Sequence, residues 1–161
     1  MNKILTIQQG IKAARKLKKQ NKTIIIAGGF FDILHPGHIK FLEAAKKYGD
    51  YLFILLEEDT KALKKGKGRP VNSQENRAKI LSAVQNVDCI VLLKNMTNNQ
   101  TYDKIIVEIH PDVIAVTFGD PNLKHKQRQA KLVQGKVVNV IRRIDNRSTT
   151  KYINLIANKK Q

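Results

Sequence analysis

Residues 23–46 of the chain read TIIIAGGFFDILHPGHIKFLEAAK, and this stretch decides the fold. Its first residues, Thr23 to Ile26, form a β-branched run that predicts a buried strand. The run ends near Gly28 and Gly29, where a backbone without Cβ atoms can turn tightly or approach a ligand closely. From Pro36 onwards apolar residues recur at helical spacing, and proline suits a first helical turn because its missing N–H would be unpaired there. The stretch therefore predicts a strand, a glycine turn and a helix N-terminus, which is a place where phosphate binds readily.

Two histidines, His35 and His38, stand at the start of this predicted helix. Their spacing lets both imidazoles point into the same space. Each ring can donate an N–H to a phosphate oxygen without carrying a fixed full charge. A capping or core role is the alternative for either histidine alone, and a simple turn is the alternative for the glycine pair. The combination of all these residues favours a phosphate site.

Length and composition indicate an ordinary globular protein. The chain has 161 residues, of which 42% are hydrophobic and 27% are charged. This length predicts a single domain, residues 1–161. No apolar run approaches the roughly 18 residues of a membrane span, and the start MNKILTIQQG has no signal-peptide pattern, so we expect a cytoplasmic protein with no membrane partner. The single cysteine, Cys89, lies in an apolar run, which predicts packing rather than a disulfide or a Cys-x-x-Cys metal site.

The net charge of +17 is the main argument for another class of protein. Such an excess attracts polyanions through counterion release, so a basic nucleic-acid-binding module has to be considered. However, the lysines are spread along the chain, no nucleic-acid-binding motif is present, and only 6% of the residues are aromatic, which leaves few rings for base stacking. A basic cleft also concentrates nucleoside triphosphates and sugar phosphates. We therefore expect small phosphorylated partners rather than nucleic acid, although much of the charge can be a solvated lysine surface.

Strands and helices are predicted to alternate over the whole chain. After the first strand and helix, strands are predicted at 51–56, 88–93, 112–117 and 137–141. Further helices are predicted at 4–20, 73–85, 101–109 and 149–158. This alternation implies a parallel sheet covered on both faces, hence a Rossmann-like α/β three-layer sandwich of about five strands. Ligands bind such sheets beyond the carboxyl ends of the strands, where the glycine turn and both histidines fall.

A lysine-rich, glycine-broken segment, KALKKGKGR at residues 61–69, follows the second of these strands. One interpretation is a flexible, solvated loop, which is the common fate of such runs. The other is a loop that closes over a triphosphate. The sequence favours neither of these two interpretations over the other.

Three motifs together resemble one enzyme family. Residues 29–38, GFFDILHPGH, resemble the G-x-F-D-x-x-H-x-G-H signature of the cytidylyltransferase-like nucleotidyltransferases. Residues 69–77 resemble the R-P-x-x-x-x-E-x-R stretch of sugar-phosphate nucleotidyltransferases, and residues 143–150 resemble their closing R-x-x-x-x-S-T-T segment. The resemblance extends from about Leu5 to Ile153. It is greatest to the nucleotidyltransferase domains of ADP-heptose synthases, with glycerol-3-phosphate cytidylyltransferases and archaeal FAD synthetases as further relatives.

The chain also departs from the pattern of these enzymes. Phe30 stands where a small residue is usual, and Arg147 precedes the S-T-T sequence. Residues 117–121, TFGDP, replace a glycine pair followed by aspartate. These differences concern the acceptor and the base more than the type of reaction.

The resemblance implies transfer of a nucleoside monophosphate from ATP or CTP to a phosphorylated small molecule, with release of pyrophosphate. A sugar 1-phosphate such as heptose 1-phosphate is the favoured acceptor, and ATP the favoured nucleotide. The alternatives are a glycerol-3-phosphate cytidylyltransferase, an FMN adenylyltransferase and, outside the enzymes, a basic nucleic-acid or phosphate-binding module. Dimers are common among the relatives, so the resemblance allows a homodimer, and the sequence leaves the oligomeric state open.

The resemblance assigns roles to individual residues. The catalytic residues implied are His35, His38 and Lys67. The nucleotide-binding residues implied are Gly28, Gly29, Phe30, Phe31, Asp32, Gly37, Lys64, Arg69, Arg77, Arg143, Ser148, Thr149 and Thr150. The acceptor-binding residues implied are Asp120, Lys124 and Arg128.

Each of the less specific assignments has an alternative. Arg77 can fork onto a phosphate or be a surface arginine of its helix. The hydroxyls of residues 148–150 can hold the β- and γ-phosphates or form an ordinary helix N-cap. The basic cluster around Lys124 and Arg128 can be a solvated helix face. Magnesium (Mg2+) is the expected cofactor, held mostly by substrate and water, with Asp32 as the candidate carboxylate and no dedicated protein metal site.

Overall fold

The alternating apolar runs form the predicted sheet in residues 2–63 and 70–142, the parts of the chain that the computed structural model describes. The described strands are β1 (Ile4–Leu5), β2 (Ile24–Gly29), β3 (Tyr51–Leu56), β4 (Cys89–Leu92), β5 (Val113–Thr117) and β6 (Lys136–Ile141). The described helices are α1 (Ile7–Lys19), α2 (Pro36–Lys46), α3 (Asp59–Leu63), α4 (Gln74–Ser82), α5 (Asn99–Ile109) and α6 (Leu123–Leu132). All these strands are parallel, in the order β1-β4-β3-β2-β5-β6, which confirms the Rossmann-like α/β architecture.

Helices cover both faces of the sheet because the side chains of each strand alternate between the faces. In β2, Ile24 and Ile26 belong to a core shared with α1, α5 and α6. Ile25 and Ala27 belong to the opposite core, shared with α2 and α4. All four side chains are buried. The result is the predicted three-layer sandwich. The predicted break at Gly28 and Gly29 is wrong, however, because both glycines continue β2 and pair with Leu55 and Leu56 of β3, so the chain leaves the strand only after Gly29. β2 is buried from Ile24 to Ala27 and open at its glycine end.

Aspartates at the amino ends of the strands fix the register of the central sheet. The carboxylate of Asp112, just before β5, accepts the backbone N–H of Ile24 at 2.8 Å. Asp88, just before β4, accepts the backbone N–H of Leu52 at 2.7 Å. Because neighbouring strands are held at their amino ends, their carboxyl ends finish together along one edge.

The amino-terminal segment differs from the prediction of a helix over 4–20. Ile4 and Leu5 form a short strand that pairs with Ile90 and Val91, and it adds a sixth strand to the expected five. α1 begins afterwards, at a capping box in which the Thr6 side chain accepts the Gln9 N–H at 3.3 Å and the Gln9 side chain accepts the Thr6 N–H at 2.9 Å. The box satisfies two helix-start donors and sets the boundary between strand and helix.

Most of the other element boundaries lie close to the predictions, but α6 has no counterpart among the predicted helices. α4 ends earlier than predicted, at Ser82, and α5 ends where His110 adopts a left-handed backbone with φ of 53°. α3 occupies the beginning of the segment predicted as a loop. The predicted helix at 149–158 lies outside the described residues. Within those residues, no helix combines the length and apolar character needed to cross a membrane.

Candidate active site

A cleft with a volume of about 580 Å³ lies at the carboxyl ends of β2, β3 and β5. β3 and β5 flank β2 on opposite sides, so the order of the strands reverses here. Open parallel sheets bind their ligands at such a reversal. The predicted site residues that line the cleft are Gly28, Gly29, Phe30, Phe31, Asp32, His35, Gly37, His38 and Asp120.

The two histidines meet at the amino end of α2. His35 is the N-cap residue, with an extended backbone, and Pro36 occupies the first turn. The His35 and His38 rings stack with 3.9 Å between their centroids and an interplanar angle of 21°. The Phe31 ring lies 5.1 Å from the ring of His38. Two imidazoles and the positive end of a helix dipole thus face the same cleft.

His38 is held in its neutral form. Burial, and next the neighbouring His35 ring, lower the pKa of His38 from 6.5 to about 4, against a backbone hydrogen bond at Ile33 that favours the charged form. At neutral pH the ring therefore carries one N–H donor and one acceptor nitrogen. Because a neutral ring has a single N–H, it can donate to a phosphate oxygen only when this N–H does not donate to the Ile33 backbone.

The two glycines at the carboxyl end of β2 have different roles. A Cβ atom on Gly28 would meet nothing closer than the Leu55 carbonyl oxygen at 4.0 Å, so the space beside its backbone is open to a ligand. A Cβ atom on Gly29 would lie 2.9 Å from Cε2 of Phe31. Gly29 therefore makes room for the Phe31 ring, whose own backbone has a left-handed φ of 48°. The turn combines access for a ligand with support for His38.

Asp32 joins the glycine turn to the segment before α4. Its side chain is buried, and its carboxylate accepts the backbone N–H groups of Val71 and Asn72, each at 3.0 Å. The Asn72 amide donates in return to the Asp32 carbonyl at 3.0 Å. The carboxylate thus faces backbone donors.

The described residues do not form a binding site for magnesium. In residues 2–63 and 70–142, no three acidic, histidine or cysteine side chains come together in a way that could hold a metal ion. Asp32, the predicted candidate, is engaged with backbone N–H groups. The donor set of the described residues does not fit a magnesium ion held by the protein.

Arg77 is buried beneath the site, where its side chain donates hydrogen bonds to several segments of the chain. Its guanidinium donates to the carbonyl oxygens of Phe30 at 2.5 Å, Glu57 at 2.8 Å and Asn72 at 3.1 Å, and to the Asp59 carboxylate at 2.6 Å. The side chain is completely buried, so the alternative of a surface arginine is wrong. These bonds join the glycine turn to the end of β3 and the start of α4. The predicted contact of Arg77 with a nucleotide phosphate stays a prediction.

The wall formed by α6 contains one of the predicted acceptor residues. The Asp120 carboxylate accepts the Lys126 ammonium at 3.0 Å and the Asn122 backbone N–H at 2.8 Å. Lys126 and Gln129, one turn apart on α6, also line the cleft. This wall therefore combines a carboxylate, a cation and an amide.

The other two predicted acceptor residues face elsewhere. The guanidinium of Arg128 makes a two-pronged ion pair with Asp103 of α5, at 2.6 and 2.9 Å, and lowers the pKa of that carboxyl group. Among the described residues, neither Lys124 nor Arg128 belongs to the lining of the cleft. Their role toward an acceptor stays a prediction that the described contacts do not support.

Glu57 and Tyr102 line the cleft but are absent from the predicted site residues. The Tyr102 hydroxyl donates to the Glu57 carboxylate, with its oxygen 2.7 and 2.9 Å from the two carboxylate oxygens. Burial, followed by this hydrogen bond, raises the pKa of Tyr102. The signal for Glu57 is its position directly after a strand, at the edge where ligands bind. Tyr102 lies on α5, and no local pattern indicates that it faces the cleft.

The remaining predicted site residues lie outside the described part of the chain. They are Lys64, Lys67, Arg69, Arg143, Ser148, Thr149 and Thr150.

Comparison with known proteins identifies the family. A family model described as Cytidylyltransferase-like matches residues 26–156. The chain therefore belongs to the cytidylyltransferase-like family of nucleotidyltransferases, as the motifs predict.

Among curated proteins, the chain is similar to bifunctional protein HldE. The protein from Aliarcobacter butzleri is 37% identical over 151 residues, which cover 88% of this chain and 31% of the relative. The protein from Pseudomonas fluorescens is 32% identical over 158 residues, which cover 96% of this chain and 32% of the relative. The chain thus spans about a third of the length of the curated relatives it matches.

Two solved structures are similar in fold. The lipopolysaccharide core biosynthesis protein from Thermoplasma volcanium has a TM-score of 0.60 and 27% identity, with 76% of this chain and 97% of that chain covered. Pantoate-beta-alanine ligase from Francisella tularensis has a TM-score of 0.58 and 16% identity, with 97% of this chain and 76% of that chain covered. The second likeness shows the shared fold alone.

Proposed function

We propose that the chain transfers a nucleoside monophosphate from ATP, or less favourably CTP, to a phosphorylated small molecule, with a sugar 1-phosphate of the heptose type as the favoured acceptor. The observation that carries this proposal is the stacked pair of His35 and His38 at the amino end of α2, beside the open backbone of Gly28. The similarity to HldE proteins and the motif resemblance to ADP-heptose synthases support the sugar acceptor.

The proposed reaction needs no covalent protein nucleophile. An oxygen of the acceptor phosphate attacks the α-phosphorus of the triphosphate. The bond from that phosphorus to the oxygen bridging the α- and β-phosphates breaks, and pyrophosphate leaves with the electron pair. Because the attacking oxygen is already anionic, the protein has to supply position and charge stabilisation. Magnesium bound to the nucleotide would supply charge neutralisation on its phosphates.

The histidines supply fixed donors for this charge. His35 is held as the N-cap of α2, and the ring of His38 packs between His35 and Phe31, so both rings are positioned before a substrate binds. In the proposed complex they donate N–H groups to oxygens of the α- and β-phosphates. The charge that develops around the pentacoordinate phosphorus then meets donors that need no reorganisation.

Residues outside the described ranges complete the proposal through the family resemblance. Lys64, Lys67 and Arg69 would close over the triphosphate from the segment after α3. Arg143 and residues 148–150 would hold the leaving pyrophosphate. Arg77 is proposed to contribute by holding the Phe30 and Glu57 backbones around the cleft.

A matrix of substrates tests the proposal. Pyrophosphate release is measured for ATP and CTP, each with heptose 1-phosphate, glycerol 3-phosphate and flavin mononucleotide. We expect the highest kcat/KM for ATP with heptose 1-phosphate. If CTP with glycerol 3-phosphate is best, the heptose acceptor is wrong and the reaction class is retained. If ATP with flavin mononucleotide is best, an FMN adenylyltransferase replaces the heptose assignment, and no release with any pair would contradict the enzyme itself.

A basic binding module is the second candidate, because the net charge of +17 favours polyanions of any kind. This candidate predicts nucleotide or nucleic-acid binding without pyrophosphate release. The same substrate matrix separates it from the enzyme.

A further inference from the structure

Phe118 is a large apolar residue that stays exposed inside the candidate active site. It follows β5 directly, lines the cleft and is 51% exposed. The other exposed large hydrophobic residues in the described part of the chain, such as Tyr48 and Leu132, lie outside the lining of the cleft. A single apolar side chain on an open surface needs no explanation. An exposed ring in the wall of a cleft, by contrast, has apolar surface available to a ligand.

The other phenylalanine and tyrosine rings that the structure describes in this lining are less accessible. Phe31 is buried, and its ring packs near the ring of His38. Three further residues of the lining are partly buried: Phe30, Phe41 and Tyr102. Phe118 therefore offers more free aromatic surface than any of them.

A guanidinium group lies over the Phe118 ring. The guanidinium carbon of Arg142 is 5.8 Å from the ring centroid, and Arg142 also lines the cleft. The two residues follow neighbouring parallel strands, because β5 ends at Thr117 and β6 ends at Ile141. The Phe118 N–H donates to the Ile141 carbonyl at 3.0 Å. The pairing of the backbones thus fixes both side chains at the same corner of the cleft.

An aromatic ring beside a guanidinium suits a planar heteroaromatic ligand. Every nucleobase has a π face that can stack on an aromatic side chain, whatever its hydrogen-bonding edge. A guanidinium adds attraction to the face of such a ring and donors for its nitrogen and oxygen atoms. A phosphate group gains nothing from an exposed phenylalanine ring, so this corner differs in chemistry from the histidine pair at the start of α2.

We propose that Phe118 and Arg142 form a stacking platform for a planar heteroaromatic ring of a substrate. The inference rests on the proposed nucleotidyl transfer, in which ATP or CTP brings such a ring and flavin mononucleotide would bring one on the acceptor side. With a sugar 1-phosphate as acceptor, the ring is the nucleobase. Phe118 lies in the segment 117–121, where the chain departs from the related enzymes, so the platform belongs to this chain's own sequence.

A spectroscopic test is available because the chain contains no tryptophan. In Phe118→Trp the introduced indole is the only tryptophan, and a heteroaromatic ring stacked on it quenches its fluorescence. Tyr48→Trp is the matched control, since Tyr48 is an exposed aromatic residue outside the lining of the cleft. Each protein is titrated with ATP, CTP and inorganic tripolyphosphate in the presence of magnesium. We expect the two nucleotides to quench Phe118→Trp, tripolyphosphate to leave it unchanged, and no ligand to quench Tyr48→Trp.

Calorimetric titration measures what the platform contributes to affinity. Phe118→Ala should raise the Kd for the ligand that carries the ring about 5- to 150-fold, the range for one base stacked on an aromatic side chain. Phe118→Trp restores a stacking face and should bind as tightly as the wild type. Arg142→Gln should raise the same Kd about 2- to 5-fold, as expected for an exposed cation–π contact. Tripolyphosphate should bind all three variants like the wild type, and Tyr48→Ala should change no Kd.

The source of the ring follows from which ligand loses affinity in Phe118→Ala. A loss for ATP and CTP places the nucleobase on the platform, whereas a loss confined to flavin mononucleotide places the flavin ring of an acceptor there. An unchanged Kd for all of these ligands would overturn the inference. Equal losses for ATP and tripolyphosphate would also overturn it, because the substitution would then act on phosphate binding. If Phe118→Ala does not fold, as judged by a thermal melt, the quenching of Phe118→Trp and the Kd values of Arg142→Gln decide the question.

Failure of this inference can be told apart from failure of the proposed function. A wild type that binds ATP through the platform but releases no pyrophosphate with any acceptor would overturn the proposed function and retain the platform. A wild type that releases pyrophosphate, with Phe118→Trp unquenched and Phe118→Ala unchanged in every Kd, would overturn the inference alone. A wild type that binds neither nucleotides nor flavin mononucleotide would overturn both.

Discussion

Acid should destabilise the protein through His38. An imidazole in the unfolded chain has a pKa near 6.5, whereas burial and the adjacent His35 ring hold the pKa of folded His38 at about 4. Between these two values the unfolded state binds a proton that the folded state does not bind. Stability is therefore complete above pH 6.5 and falls as the pH falls toward 4. Since one pKa unit corresponds to about 1.4 kcal/mol, the free energy of unfolding should fall by up to about 3 kcal/mol over this interval.

Urea unfolding of the wild type and of His38→Gln, at several values between about pH 4 and pH 7, measures this effect. Glutamine keeps an N–H donor of similar size but does not titrate. The carboxyl groups and the distant histidines titrate in both proteins, so the difference between the two pH curves reports His38 together with its coupling to the stacked His35 ring. The wild-type curve should drop relative to the variant by up to about 3 kcal/mol as the pH decreases. Parallel curves would refute the argument that His38 is buried in its neutral form.

The histidine pair, the buried arginine and the basic surface lead to three further measurements. His35→Ala and His38→Ala should each lower kcat about a hundredfold or more, because each removes one fixed donor to the developing charge; thermal melts check the fold, and near-wild-type turnover in both would contradict the assignment. Arg77→Met should cost at least about 2 kcal/mol in urea unfolding, because it leaves buried carbonyl groups unpaired, whereas Arg128→Met, which breaks an exposed ion pair, should cost clearly less. Equal losses of unfolding free energy in these two variants would mean that the hydrogen bonds of Arg77 do not stabilise the fold. Duplex DNA should bind weakly, without sequence preference, and be released at about 200 mM salt, as fluorescence anisotropy would show; tight binding at that salt would favour the binding module.

The sheet edge and the histidine pair could be predicted because their signals are local. β3 covers Tyr51–Leu56, as its apolar run predicts, since a strand buried on both faces needs no alternation. The helix start after the glycine turn is marked by Pro36, and the structure places His35 at its N-cap. In both cases the residues that determine the structure lie next to one another in the sequence.

Features that depend on distant partners could not be predicted in this way. β1 has two residues, and only its pairing with Ile90 and Val91 distinguishes it from the start of a helix. Arg77 looks like a surface residue of an amphipathic helix, but carbonyl oxygens of Phe30 and Glu57 draw its guanidinium inside. A charged side chain is buried where backbone acceptors from several segments converge, and that convergence exists only in the folded chain.

The wall of the cleft formed by α6 shows why the sequence could not indicate which basic residue of this helix faces the cleft. α6 reads LKHKQRQAKL, and this nearly continuous polar sequence has no apolar stripe to indicate which of its faces turns inward. Arg128 has the strongest geometry for a phosphate, yet Asp103 on the neighbouring helix engages both of its prongs. Lys126 lies two residues earlier, on the side of the helix that meets Asp120 and the cleft. If the acceptor phosphate needs a cation from α6, the described geometry offers Lys126 for it, and an acceptor that displaces Asp120 from this ammonium would exchange one anion for another at little electrostatic cost.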